Sequence, residues 1–278
     1  MKKICAITMA RNDEFFLNRW VGYYGKILGE ENLYIYLDGN DQKPPSGVGK
    51  ANVFIVEKKG CHVVDAENQR LNYLSDRAKE LLQKYDLVIG CDADEFLVVD
   101  PKTGKTLDEY LSQIKIKTSV SGLGLDFGQH LKFERLLDKS EPFLRQREYA
   151  LLSTRYTKTA IISKPVRWGR GFHRIRKHNF HIDKNLYLLH FGNADYDALK
   201  NRFDDPDFIK TGRIGHLKKR IKVIEDVSTG HCFDGDKVFG FARIIQTIFR
   251  PVYAWNKPGM LGMRWIVKIP ERFKGLDI

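Results

Sequence analysis

Cysteine is scarce in this sequence. Only Cys5, Cys61, Cys91 and Cys232 occur among 278 residues, and none forms a C-x-x-C pair. A disulfide framework is thereby disfavoured, and reduced, mostly buried thiols in a cytosolic compartment are expected. Long apolar runs are also missing: no stretch approaches the roughly 18 residues needed to span a bilayer. The apolar run in MKKICAITMARNDE is only about seven residues, and it ends in Arg-Asn-Asp-Glu rather than a small-residue cleavage site. It reads as a first buried strand. There is no internal repeat and no low-complexity tract. Glycine is absent from Met9–Glu14, which counts against an early glycine-rich phosphate loop.

Hydrophobic residues make up 42% of the chain and charged residues 29%, with a net charge of +12. A large core is therefore expected, in one large domain or a domain with an appendage. A surface this basic suits nucleic acid, an anionic membrane or a phosphorylated substrate, and charge alone does not choose among them.

Strand and helix patterns alternate through the first hundred residues. Apolar runs at Ile4–Met9, Asn32–Leu37, Val53–Glu57 and Asp86–Gly90 read as strands. Asn12 or Asp13 would cap a helix carrying Phe15, Phe16, Trp20, Tyr23, Tyr24 and Ile27, and Asn68–Lys84 is a second amphipathic helix. The stretch Gln42–Lys50, rich in Pro and Gly, reads as a loop. This alternation predicts an α/β fold: an open, mostly parallel sheet with helices on both faces. Ligands of such sheets bind beyond the carboxyl ends of the strands, where Asp38 and Asp92 both fall. Beyond residue 100, helices are expected over Leu107–Ile114, Asp195–Phe203 and Gly215–Val227. Further strands are expected over Ser119–Phe127, Lys158–Val166 and Asn185–Phe191.

The stretch GCDADEFL, residues 90–97, places Asp92, Asp94 and Glu95 directly behind an apolar strand. Two aspartates one residue apart suit a hard cation such as Mg²⁺ or Mn²⁺, which takes oxygen ligands and substrate phosphates. A surface turn explains the spacing almost as well. Apolar neighbours on both sides, Val88-Ile89 and Phe96-Leu97-Val98-Val99, argue against a freely solvated turn. Glu95 is expected to face the protein and pair with a base.

Taken in order, the blocks MARNDEFFLNRWVGYY, LYIYLDGN, QRLNYL and IGCDADEFL, followed by LDFGQH, KTAIISKPV, GFHR and YLLHFG, resemble family-2-like glycosyltransferases, closest to the family 92 type. The resemblance spans roughly residues 4–205. Ala93 departs from the usual aromatic or aliphatic residue between the acids. The resemblance implies a GT-A-like fold with a Rossmann-like nucleotide-binding half and a mixed acceptor half. It also implies a UDP- or GDP-sugar donor and Mn²⁺ or Mg²⁺ at a D-x-D motif.

Residue roles follow from that resemblance. Asp94 would ligate the metal directly, and Asp92 would help through water or a ribose hydroxyl. Asp38 would read the base or ribose, with Arg11, Asp13 and Arg70 completing the pocket; Arg70 also reads as an ordinary helix-face charge. His173 and His190 are the two histidines that would complete the metal site. His62, His178, His181, His216 and His231 read as core or surface residues. Lys158 and Lys164, flanking a strand, would reach donor phosphates. The run RWGRGFHR, residues 167–174, suits a loop over the donor, though its mix of arginine and aromatics would also suit RNA. Inversion needs a carboxylate to deprotonate the acceptor, and Asp126 is the first candidate, with Asp195 second.

The predicted organisation is a catalytic domain over 1–236 and a basic, aromatic-rich segment over 237–278. That last segment has eight Lys or Arg against two acids, and reads either as a cover for the sheet or as a peripheral contact with an anionic membrane. The function expected is transfer of a sugar from a nucleotide-diphosphate donor to a glycan or lipid-linked acceptor, in surface polysaccharide or lipopolysaccharide assembly. The expected setting is the cytoplasm or the inner face of the membrane, with no nucleic-acid partner. Two alternatives stay open: a nucleotidyltransferase or other metal-dependent phosphoryl enzyme using the same acids, and a basic nucleic-acid-binding protein.

Overall fold

The structure, a computed structural model, describes residues 1–57, 63–204 and 214–278. Cys61 and His62 lie outside the described residues, as does the side chain of His216. The first strand, β1 (Ile4–Ala10), is buried along its whole length. Its alternating side chains face two cores. Ile4, Ala6 and Ala10 pack with Leu17, Trp20 and Tyr24 of α1 (Glu14–Leu28), while Cys5, Ile7 and Met9 pack with Leu71, Leu74 and Ala78 of α2 (Val63–Leu81). A strand covered by helices on both faces has no polar side to alternate with, which is why it reads as a continuous apolar run.

Strands β1, β2 (Leu33–Asp38), β3 (Asn52–Val56) and β4 (Leu87–Gly90) form a parallel block in the spatial order 3-2-1-4. The chain moves outward from β1 to β2 and later returns past β1 to β4. Right-handed crossovers in opposite directions place α1 and α2 on opposite faces. The reversal opens a crevice at the carboxyl ends of β1 and β4, where the chain delivers Asp13 and the Asp92–Glu95 cluster.

The second half of the sheet is mixed. β5 (Glu95–Val99) runs antiparallel to β9 (Ile182–Asn193), and β9 runs parallel to β6 (Ser119–Gly128). β6 also pairs with β7 (Tyr149–Leu152) and with the short β8 (Ile161–Ile162), which joins the halves by pairing antiparallel with β4. The observed architecture is thus the expected α/β one, a parallel half beside a mixed half. Phe96–Val99, by its sequence an apolar flank of the acids, belongs to a strand of its own, and β8 is far shorter than the expected strand Lys158–Val166.

The remaining helices are α3 (Leu107–Gln113), α4 (Phe143–Gln146), α5 (Tyr196–Asn201), α6 (Ile214–Thr229) and α7 (Gly235–Ile248). The anticipated boundary at 236/237 falls inside α7. Phe239, Ala242, Ile245, Val267, Ile269, Phe273 and Ile278 join the same core as β1 and β9. β10 (Cys232–Asp234) and β11 (Ile266–Lys268) extend the sheet beyond β7, and the Ile278 carbonyl accepts a hydrogen bond from the Phe143 amide. Residues 237–278 therefore complete the domain. Cys5 and Cys91 are buried free thiols, and Cys232 is an exposed one.

Candidate active site

Register brings the acids and the histidine together. Glu95 on β5 faces His190 on β9, and His190 faces Asp126 on β6. Side chains directly opposite across neighbouring strands share one face of a sheet, so three residues distant in sequence form a single row. Asp94, one residue ahead of that row, approaches the imidazole from its other side. His190 is 1% exposed. Its Nδ1 lies 2.7 Å from Asp126 Oδ1 and its Nε2 lies 3.2 Å from Asp94 Oδ2. Burial works against the imidazolium, but Asp94 and Asp126 outweigh it and lift His190 to about 9. Asp94 is pushed up by burial and pulled down further by His190 and Arg220, to about 2.

Supporting groups hold this row in place. The Asn193 amide donates to Asp126 Oδ1 at 2.7 Å, and Tyr156 stacks on the His190 ring with centroids 3.8 Å apart. Gly192 lets Asp94 come close: a Cβ there would lie 2.5 Å from Asp94 Oδ2 and 2.6 Å from His190 Nε2. Both bonds to Asp126 fall on Oδ1, and both polar contacts of Asp94 fall on Oδ2.

Asp92 and Glu95 point to a different partner. Lys158 is 2% exposed; it donates to Asp92 Oδ2 at 2.8 Å and to Glu95 Oε1. Arg70 donates to Asp92 Oδ1 at 2.9 Å and clamps Glu67 with two further bonds. Burial raises the Asp92 carboxyl, but Lys158 and Arg70 more than reverse this and hold it well below the carboxylate range. Glu95, buried more deeply, is pushed up to about 7 by desolvation against the pull of Lys158. Lys158 itself loses to burial but gains more from the two acids, and stays charged.

The other predicted residues divide by position. Asp13 caps α1 without a side-chain capping bond. Burial, then the nearby Asp94, push it up to about 6 against Arg202 and Arg220. Arg11 donates to the Asp38 carbonyl at 2.7 Å and forks onto Asp41, so it braces the end of β2. His173 sits in the loop before β9, its Nδ1 2.8 Å from the Arg155 carbonyl. Burial and then Lys158 and Lys257 press it down to about 3, so it is neutral.

Two candidates are placed away from the row. β8 runs antiparallel to β4, so Lys158, ahead of it, lies at the carboxyl end of β4, whereas Lys164, behind it, is exposed at the opposite edge. Asp195 accepts from the Ala198 amide at 2.9 Å as the cap of α5, which gives it a structural task. Arg220, 3.5 Å from Asp94 Oδ2, is hidden in the sequence because it stands in a Lys-Lys-Arg run that looks like a solvated helix face. Tyr156 and Asn193 carried no local signal at all.

Among the described residues no three His, Cys, Asp or Glu side chains converge as a ready ligand cage. The four residues predicted as metal ligands are not gathered into one set: Asp92 is taken by Lys158 and Arg70, and His173, whose Nδ1 meets the Arg155 carbonyl, has no bond to Asp94 or His190 among the described residues. Asp94 and His190 remain as an adjacent oxygen and nitrogen donor, 3.2 Å apart. A carboxylate holding Nδ1 directs the other imidazole nitrogen outward, the arrangement that backs metal-binding histidines, and substrate phosphates commonly complete such a shell.

Beside Asp126 opens a cavity of about 530 Å³, lined also by Ser153, Thr154, Arg155, Lys218 and Lys219. Among the described residues neither Lys218 nor Lys219 has an acidic partner.

No protein-family model matches the chain, and no curated protein matches it in sequence. Among solved structures, a cytidylyltransferase from Leptospira borgpetersenii serovar Hardjo-bovis is similar with a TM-score of 0.28 and 14% identity, over 49% of this chain and 58% of that one. A mannose-1-phosphate geranyltransferase from Thermus thermophilus is similar with a TM-score of 0.29 and 11% identity, over 98% and 76%. A glycosyltransferase involved in the glycosylation of the major capsid of PBCV-1 is similar with a TM-score of 0.24 and 9% identity, over 47% and 54%. The chain thus spans little more than half the length of the first and third of these. Likenesses of this size leave the activity open.

Proposed function

We propose that the chain is a metal-dependent glycosyltransferase that moves a sugar from a nucleotide-diphosphate donor to a glycan or lipid-linked acceptor. The observation that carries this reading is the row Glu95, His190, Asp126 with Asp94 across the imidazole, set in the mixed half of the sheet beside the carboxyl end of β4, with Lys158, Arg70 and Arg220 around the acids. The motif resemblance adds the D-x-D block and its neighbours in order. Surface polysaccharide or lipopolysaccharide assembly, at the cytoplasmic side, is the setting we assign on that resemblance.

Asp94 and His190, the latter on giving up its Nε2 proton, would hold Mn²⁺ or Mg²⁺, which as a Lewis acid would stabilise charge on a departing diphosphate. The protein's own share is electrostatic. Lys158 and Arg70 fix Asp92 and Glu95, so the acids keep one geometry while charge develops nearby. Arg220 supplies a further cation beside Asp94. Asp38, whose carboxylate makes no hydrogen bond or ion pair among the described residues, is free to meet a ribose hydroxyl, with Arg11 bracing its backbone.

On the far side of His190, Asp126 lines the cavity and makes its hydrogen bonds to His190 and Asn193 through Oδ1. It is the group we assign to deprotonate an acceptor hydroxyl, which makes the transfer inverting. The test is product analysis of UDP- and GDP-sugars incubated with the protein, with and without a chelator. Release of nucleoside diphosphate that stops on chelation supports the reading. In a parallel incubation with a nucleoside triphosphate and a sugar phosphate, release of pyrophosphate would instead establish the nucleotidyltransferase alternative.

A further inference from the structure

Exposed apolar side chains are concentrated in one part of the chain. Among the described residues fourteen large apolar side chains are exposed, and eight of them lie between residues 241 and 261. α7 turns Phe239, Ala242 and Ile245 inward, while Phe241, Ile244 and Ile248 form an outward stripe at helical spacing. The following loop projects Val252, Tyr253, Trp255 and Leu261, all at least 60% exposed. Against α7 lies a groove of about 540 Å³, lined by Tyr187, Phe239, Ile244 and Ile248, with Lys184 and Asp236 among its lining residues, the acid paired with Arg272. A concentration of exposed apolar side chains of this kind marks an interaction site.

Its charge selects the occupant. Residues 237–270 contain six Lys or Arg and no acid. Arg264 and Lys268 are neutralised by Asp226 and Glu148. Arg243 and Arg250 donate to backbone carbonyls, and Lys237 and Lys257 have no acidic partner among the described residues. Pairing with a second copy would set this unbalanced positive face against itself. An anionic bilayer surface complements it, and Trp and Tyr beside Lys and Arg are the residues that settle at the headgroup boundary. Among the described residues no helix is long and apolar enough to cross a membrane, so the contact would lie in the interface plane.

The surface also adjoins the candidate active site. Asn256, in the projecting loop, donates to the Ile175 carbonyl at 2.6 Å, and Ile175 bridges to Trp168 in the segment that carries His173. Lys257 shares the field of Arg155, which lines the cavity beside Asp126. From these observations we infer that α7 and the 249–262 loop dock on an anionic lipid leaflet, with the mouth of the site held close to the headgroups. This inference stands independently of the glycosyltransferase reading.

Flotation of the full chain with vesicles of phosphatidylcholine, with and without phosphatidylglycerol, tests it. Binding is expected only to the anionic vesicles, weakening as salt rises. Val252→Asp combined with Trp255→Asp should lower the partition coefficient about tenfold or more. Both side chains are exposed, so an unchanged melting temperature checks that the variant folds. A blue shift of tryptophan emission on binding, lost in Trp255→Phe, would place the loop in the interface. Absence of wild-type flotation at low salt would overturn the inference, as would binding indifferent to the double substitution. Self-association abolished by the same substitutions, without vesicle binding, would assign the surface to a second copy instead.

Discussion

Lys158 is the side chain on which the acidic cluster depends most. It is buried, and it alone bridges Asp92 and Glu95. Lys158→Met should cost about 3–5 kcal/mol in chemical denaturation, because the buried Glu95 loses its counter-charge and the half-buried Asp92 keeps only Arg70. Adding Glu95→Gln should recover about half of that loss; no recovery would mean that the methionine disturbs packing instead. Gly192→Ala tests the other pair. A methyl 2.5 Å from Asp94 Oδ2 must part it from His190, and metal-dependent nucleotide affinity should fall about tenfold or more. Unchanged affinity would remove that pair from the site. At this scale the sequence was informative about Asp92, Asp94, Asp126 and His190, because each stands at or in an apolar run that could only be a strand. It was silent about their partners. Lys158 and Lys164 looked equivalent flanks, and only the direction of β8 separates them.

Elements meet through a few close contacts that single substitutions can probe. Gly124 on β6 passes so near the turn after β7 that a Cβ would lie 2.3 Å from the Thr157 amide nitrogen. Gly124→Ala should destabilise by about 3 kcal/mol through backbone displacement, seen as a lower denaturation midpoint. Near the C-terminus, Arg272 forks onto Asp100, whose side chain is wholly buried, at 2.6 and 2.9 Å. Burial raises the Asp100 carboxyl, but hydrogen bonds from Arg272 and the Lys102 amide lower it further. Because folding lowers this pKa, the stabilisation is complete above the unfolded value, about 4, and fades as pH falls through the folded one. Arg272→Ala should therefore cost about 3 kcal/mol near neutrality, and the gap to wild type should narrow below pH ~4. A gap independent of pH would mean that Arg272 acts by packing. The parallel half was legible because strand and helix periods alternate cleanly. β5 was hidden because Phe96–Val99 follows the acids with no turn residue between them. The β5–β9–β6 register that gathers the site is a long-range pairing with no local mark.

The whole molecule combines a site rich in buried charge with a surface of net positive sign. Four basic groups, Arg70, Lys158, His190 and Arg220, stand among five acids, Asp13, Asp92, Asp94, Glu95 and Asp126, at the carboxyl edge of the sheet. Such a balance is poised for an anionic ligand that brings its own cation. The C-terminal residues, which composition set apart, close the core instead and leave only their outer face to a partner. Isothermal calorimetry of UDP and GDP against the full chain, with and without Mn²⁺, tests the central claim most directly. One nucleotide should bind only when Mn²⁺ is present, and Asp94→Asn should abolish that binding while leaving the fold intact. Binding that is indifferent to Mn²⁺ and to Asp94, or no nucleotide binding at all, would contradict the account.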